Sequence, residues 1–252
     1  MEKKTQKEKI KEKKEKTSLE EKPLKEKIDS FDDAEIKKML EAGVHFGHRH
    51  SKTYPKMAPF IYGSRNTIDL INPLKTKEYL EEALNFLKKQ KEKKSLILFV
   101  GTKISAKNLI KELAEELSMP YVNERWLGGT LTNFEVISKR INYLKEMEAK
   151  RDTGKLDDYK KKERVKINQE IARIERKISG LKNLSHSPDV LFVIDIEEEK
   201  LAVKEANKKK IPIVGICDTN GNPDMVDYPI PANDDAVSSL KYILDKVKEV
   251  LK

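Results

Sequence analysis

Three uninterrupted apolar runs constrain the fold more than any other feature of this chain: SLILFV at Ser95–Val100, VLFVI at Val190–Ile194 and IPIVGI at Ile211–Ile216. A run of five or six apolar residues bounded by turn signals reads as a strand buried on both faces, as in a parallel sheet covered by helices. Helix-period segments separate the runs. Leu109, Leu113 and Leu117 mark one helix, a short strand is expected at Tyr121-Val122, and a helix is expected over residues 197–207. A short segment at Tyr228–Ile230 and a last helix after Asn233-Asp234-Asp235 complete the alternation. The pattern predicts an α/β fold with a doubly wound, Rossmann-like, mostly parallel sheet.

One long stretch interrupts it. Ile167, Ile171, Ile174, Ile178 and Leu181 recur at steps of four and three, and Phe134, Ile137, Ile141 and Leu144 repeat that spacing upstream. This is the seam of a coiled coil, so residues 134–184 are expected to form an inserted antiparallel helical hairpin turning at RDTGKLDD. The longer helix, over residues 157–184, would reach about 40 Å at 1.5 Å per residue. With 15 Lys and Arg against 9 Asp and Glu, the hairpin is net basic. That suits either solvated faces around a narrow seam or a basic arm that touches a partner.

The expected domain division follows. Residues 1–30 carry 11 Lys, 7 Glu and 1 Asp and cannot bury enough surface to offset ordering, so they read as a disordered extension. Residues 31–133 and 185–252 form the sheet domain around the hairpin. Order is expected to begin at Asp32-Asp33, ahead of a short amphipathic helix that stops at Gly43. FIYGSRNTIDLI reads as two strands about a Gly-Ser-Arg-Asn turn, and Pro73 opens a helix.

Charge and cysteine usage narrow the function. A net charge of +9 favours an anionic partner, nucleic acid foremost, and with only eight Arg among 52 cationic residues most phosphate contacts would come from Lys. The single cysteine, Cys217, excludes an intramolecular disulfide framework and points to a cytoplasmic protein. No run approaches the length of a membrane span, and no apolar segment follows the basic N-terminus, so neither membrane nor export is expected.

Three of the four histidines fall in HFGHRH, as His45, His48 and His50. The spacing invites a metal, but no cysteine or carboxylate lies nearby in sequence and Arg49 and Lys52 would repel a dication, so no metal is expected. A glycine-rich contact loop fits better. Gly43 and Gly47 would admit a phosphate chain, with Arg49, Lys52 and Lys56 as countercharge, His48 and His50 near it, and His45 packed inward. In RWLGGTLTNF, Trp126 is expected to pack where the hairpin joins the sheet, Gly128 and Gly129 to bend the chain, and Thr130, Thr132 and Asn133 to cap the next helix, leaving Arg125 free to face a phosphate. Gly101-Thr102-Lys103 follows a buried strand without completing a nucleotide-binding fingerprint, and Asp218, Asp224, Asp227, Asp234 and Asp235 lie where a doubly wound enzyme keeps its site. A nucleotide- or Mg²⁺-dependent phosphotransferase is therefore the alternative reading.

Taken together, MLEAGVHFGHRHSKTYPKMAPFIYGSRNTIDLI, LFVGTK, RWLGGTLTNF, PDVLFVID and KEANKKKIPIVGICDTNGNPDMVDYPIPANDDA resemble the bacterial family of ribosomal protein S-two, in order from Met39 onward. The resemblance implies a non-enzymatic part of the small ribosomal subunit without cofactor. It implies binding to small-subunit rRNA between head and body, with neighbouring ribosomal proteins as partners, and support for recruiting ribosomal protein S-one. No homo-oligomer is expected. The candidate RNA contacts are His48, Arg49, His50, Lys52, Lys56, Arg65, Asn66, Lys103, Arg125, Gly128, Gly129, Lys139 and Arg140.

Overall fold

The protein is described from a computed structural model, which covers residues 33–153, 160–184 and 186–252. The charged extension at residues 1–30 and most of the RDTGKLDD turn lie outside the described residues. The chain divides into two compact units, Met1–Lys38 and Met39–Lys252. In the first, the Asp33 carboxylate accepts the Glu35 N–H at 2.9 Å, capping helix α1 (Ala34–Glu41) as the paired acids predict.

In the second unit the apolar runs form the centre of a five-stranded sheet: β4 (Ile97–Val100), β5 (Tyr121–Val122), β6 (Val190–Ile194), β7 (Ile213–Cys217) and β8 (Tyr228–Pro231). Their order is β5-β4-β6-β7-β8, and every pairing is parallel. Alternate residues feed two separate cores. Ile97, Phe99, Val190, Phe192, Ile194, Val214 and Ile216 pack with α2 (Pro73–Glu92), α3 (Lys107–Glu116) and α7 (Val237–Leu251). Leu98, Val100, Leu191, Val193, Ile213 and Cys217 pack with α4 (Phe134–Asp152), α5 (Lys161–Ile178) and α6 (Lys200–Lys209). A polar side chain on β4 or β6 would have no water on either side, and each large apolar one contributes about 1.5–3 kcal/mol. Helices on both faces of a parallel sheet are consistent with the doubly wound class. Pro229 and Pro231 fall on β8, an edge strand, where a missing donor costs least.

A second, antiparallel sheet of three strands was only partly foreseen. HFGHRH, expected as a loop, supplies β1 (Phe46–Arg49), which pairs with β3 (Ile68–Ile71); β3 also pairs with β2 (Ile61–Arg65). The turn between β2 and β3 is Asn66-Thr67, with φ of 49° and 67°, so Gly63, Ser64 and Arg65 belong to the strand. Two positive-φ residues match the twist of a tight hairpin, and the Thr67 carbonyl is held by the His50 N–H at 2.8 Å.

Helix α6 begins at Lys200 rather than Glu197, because the Asp195 carboxylate accepts both the Glu197 and Glu198 N–H at 3.0 Å and holds them in a turn. Asn233 shapes the turn before α7, accepting from the Asp235 and Ala236 N–H, while the helix itself starts after Ala236 without a side-chain cap. The residues of the predicted seam all lie in the core shared with α6, including Ile137, Ile141, Leu144, Ile171, Ile178 and Leu181. Helix α5 is shorter than its apolar spacing suggested. It ends at Ile178, where a Cβ on Gly180 would stand 2.3 Å from the Tyr121 carbonyl oxygen, and Leu181 follows in a 3-10 turn.

RWLGGTLTNF is folded around one buried carboxylate. Glu205, on the face of α6 that also buries Ala202 and Ala206, accepts the Trp126 indole N–H at 3.2 Å and the backbone N–H of Gly129, Leu131 and Thr132 at 2.7, 3.0 and 3.1 Å. The Thr132 hydroxyl adds a fifth bond at 3.1 Å. Thr132 is thus committed to Glu205, the Thr130 hydroxyl donates to the Leu127 carbonyl, and Asn133 makes no side-chain cap, so the capping predicted for α4 is absent. Burial pushes the Glu205 carboxyl up, but the surrounding N–H donors outweigh it and hold it below the ordinary value.

Replacing Glu205 with Ala should cost about 3–5 kcal/mol, because several buried donors lose a charged acceptor together. A group with a depressed folded pKa stabilises above its unfolded pKa, about 4.3, and loses that contribution as pH falls through the folded value. Urea unfolding of wild type and Glu205→Ala at pH 7 and pH 3 checks this: the gap should be wide at pH 7 and narrow at pH 3.

Candidate functional site

The carboxyl edge of a doubly wound sheet, at the point where strand order reverses, is where such folds bind ligands. Here that point lies between β4 and β6, flanked by Gly101-Thr102-Lys103 and Asp195. It is filled from within. The Thr102 N–H, the donor a phosphate would use, gives its hydrogen bond to Glu199 at 2.8 Å. The Lys103 ammonium lies 3.3 Å from Asp195, 2.6 Å from Asp234 and 2.6 Å from Asp235. Burial pushes Lys103 down, but the hydrogen bonds to Asp234 and Asp235 and the charges of Asp234 and Asp195 more than reverse it, leaving it well above its ordinary value. Asp234 is pushed up, first by burial and then by Asp195 and Asp218, against the pull of Lys103.

The small sheet closes over the same edge. His48, on β1, donates its backbone N–H to the Thr219 hydroxyl at 2.9 Å, and its ring lies 3.1 Å from Asp218 and 3.5 Å from Asp235. The Asp218 carboxylate holds the imidazole above its ordinary pKa, against burial and with help from Asp234 and Asp235. Gly47 is needed for this contact rather than for approach to a phosphate: a Cβ there would stand 2.5 Å from the Thr219 methyl and 3.0 Å from the Asp69 carbonyl oxygen. The absence of a carboxylate near HFGHRH was a property of the sequence alone. In the fold, among the described residues, His48, Asp234 and Asp235 present ligand atoms within 4.8 Å of one another, a nitrogen-and-oxygen set that could hold a cation.

The other candidate residues are distributed over three places. Arg49 and Arg65 end β1 and β2 as exposed side chains, with Asn66 in the adjoining turn and Lys52 exposed after β1. His50 is exposed too, with Nδ1 2.9 Å from Asp69, a fully buried carboxylate that also accepts the Thr53 hydroxyl. Lys56 is exposed and pairs with Asp224. Arg125 and Gly128 are exposed on the loop that Glu205 anchors, where Gly129 takes a φ of 93°. Lys139 pairs with Glu135 on the surface of α4, and Arg140 helps line a groove of about 380 Å³ with Leu127, Tyr143, Arg173, Ile174 and Lys177. Lys103 stands apart, enclosed by carboxylates. His45 is half-buried against Phe46, and burial lowers its pKa.

Sequence reasoning passed over Glu199, Glu205 and Asp69. Asp69 had a readable signal, a lone acid inside an apolar strand, and Glu205 another, an acid in step with Ala202 and Ala206 on a helix that must cover a sheet. Glu199 had none, being one acid in the run Glu197-Glu198-Glu199.

The family sequence model described as "Ribosomal protein S2" matches residues 39–252. The chain is 46% identical over 216 residues to the small ribosomal subunit protein uS2 of Coprothermobacter proteolyticus, covering 86% of this chain and 81% of that one. It is 45% identical over 214 residues to the uS2 of Marinobacter nauticus, covering 85% and 86%, and 47% identical over 206 residues to that of Hahella chejuensis, covering 82% and 81%.

A raised histidine pKa stabilises fully below the unfolded value, about 6.5, and the contribution is lost as pH rises through the folded value. The stability gap between wild type and His48→Gln should therefore be widest below about pH 6.5 and close at higher pH, as measured by thermal unfolding across the range.

Proposed function

This chain belongs to the ribosomal protein S2 family, and on that premise we propose that it is a structural constituent of the bacterial small ribosomal subunit, working in the cytoplasm as part of the ribosome. Its role is structural rather than enzymatic. The observation that carries the reading is the family match over residues 39–252, which takes in both sheets and the helical insertion. The filled switch point argues the same way, since Glu199 already occupies the backbone donor that a nucleotide phosphotransferase would turn to its substrate.

In finer detail, the chain binds small-subunit rRNA between head and body, with neighbouring ribosomal proteins beside it, and supports recruitment of ribosomal protein S-one. The exposed cations of the small sheet, Arg49, Lys52 and Arg65, with His50 and Asn66, form one contact region. Arg125, Gly128 and Gly129 form a second, and Lys139 and Arg140 a third on the helical insertion. Helices α4 and α5 form an antiparallel coiled-coil arm, set as a module into a sheet domain of residues 31–133 and 185–252. Lys56 and Lys103, each ion-paired here, would meet a phosphate only by exchanging a carboxylate for it.

Co-sedimentation with small subunits tests the assignment. Wild type should pellet with subunits at low salt and be released as salt rises, with roughly one log unit of affinity lost per tenfold salt for each phosphate met. Arg49→Ala with Lys56→Ala should bind more weakly and with a shallower slope. Deleting residues 145–166 should leave part of the RNA affinity, because the sheet domain retains contacts of its own. Failure of the wild type to pellet under any salt would overturn the assignment.

A further inference from the structure

The register of the three-stranded sheet builds an ordered row on its surface. Arg49 of β1 pairs with Ile68 of β3, and Ile68 pairs on its other side with Arg65 of β2. Directly paired residues stand on the same face of a sheet, so the row across the strands reads Arg49, Ile68, Arg65. All three are exposed, Ile68 at 38%, and among the described residues neither guanidinium has an ion-pair partner. Two strand spacings of about 4.8 Å separate the arginine backbones, setting them about 10 Å apart. Beside Arg65 the strip is open. Gly63, next on β2 along that face, has open space where a Cβ would stand, with nothing within 4 Å.

Behind the row, buried Asp69 alternates to the opposite face and receives the His50 ring nitrogen Nδ1 at 2.9 Å. With Nδ1–H directed at Asp69, Nε2 is turned outward on a side chain that is 73% exposed. His50 follows Arg49 directly and is pinned by its backbone bond to Thr67, with its ring on the Asp69 side of the sheet.

We propose that this face docks double-helical RNA across its minor groove, with Arg49 and Arg65 on the two phosphate backbones and Ile68 over the groove floor. The proposal rests on the ribosomal reading and specifies which kind of RNA the small sheet takes. The minor groove of A-form RNA is wide, shallow and lined with 2′-hydroxyls, and proteins read it by shape and backbone contacts. Two cations held apart by sheet register, with an aliphatic centre and an open strip on the β2 side, suit that surface. The minor groove of undistorted B-form DNA is about 6 Å wide, narrower than the spacing of the two arginine backbones. Binding to single strands uses aromatic stacking platforms. Here the row is aliphatic at its centre, and the Phe46 ring is engaged with His45 at 4.1 Å.

Fluorescence anisotropy with three labelled probes tests it: an RNA duplex, a DNA duplex of the same sequence, and one of the RNA strands alone. Wild type should bind the RNA duplex about tenfold or more tighter than the other two. Arg49→Gln with Arg65→Gln should weaken duplex binding about 10- to 100-fold and lower the salt slope by about two, at roughly 0.9 per phosphate. Ile68→Asp should weaken it as well, whereas Lys88→Gln with Lys89→Gln, on the surface of α2, should not. All these positions are exposed, and circular dichroism checks that each variant is folded. Equal affinity for the single strand, or an unchanged salt slope in the double arginine variant, overturns the proposal. Co-sedimentation separates the two levels: wild type that pellets with subunits while showing no duplex preference sinks this inference alone, and wild type that does not pellet sinks the ribosomal reading.

Discussion

Five parallel strands end at one edge, and the segments leaving three of them bring Asp195, Asp218 and Asp234 together within a region closed to water. Carboxylates this close and this buried repel one another, and burial alone disfavours their charge. The fold accommodates them by setting the Lys103 ammonium among Asp195, Asp234 and Asp235, and by turning His48 toward Asp218. Much of the surrounding architecture answers to that balance. Lys103 ties the end of β4 to the ends of β6 and β8, and His48 ties the small antiparallel sheet to the end of β7. The outer sheet therefore meets the inner one through charge as well as through apolar contact.

The same balance separates this protein from the nucleotide-binding members of its fold class. A doubly wound sheet offers a ligand a crevice at its switch point, furnished with a backbone N–H and a nearby cation. Both are present in Thr102 and Lys103, and both are already engaged by Glu199 and the three aspartates. Exposed cations lie instead on the outside, on the small sheet, on the loop held by Glu205 and on helices α4 and α5. Each of these surfaces is backed by a buried carboxylate or an apolar core. Asp69 stands behind His50, Glu205 behind Arg125 and Gly128, and the shared helix core behind Arg140. Rigid backing matters for a structural role, because a side chain that is already positioned loses less freedom on binding.

The parallel sheet was legible in the sequence, because runs such as VLFVI contain no residue able to face water and alternate with helix-period segments that can cover both faces. The sequence by itself also determined the apolar positions of α4 and α5 and the burial of Trp126, which rest on local periodicity and on side-chain size. Tertiary structure decided the rest. HFGHRH reads as a loop because its strand character comes from pairing with β3, through Leu70 and Ile68. His48 reads as lacking a carboxylate because Asp218 and Asp235 approach from the far end of the chain. Thr132 reads as a cap until Glu205 claims its hydroxyl and its N–H. In each case the deciding partner is remote in sequence, and a buried charge takes its neutralising group from whatever the fold brings within reach, which no local pattern records.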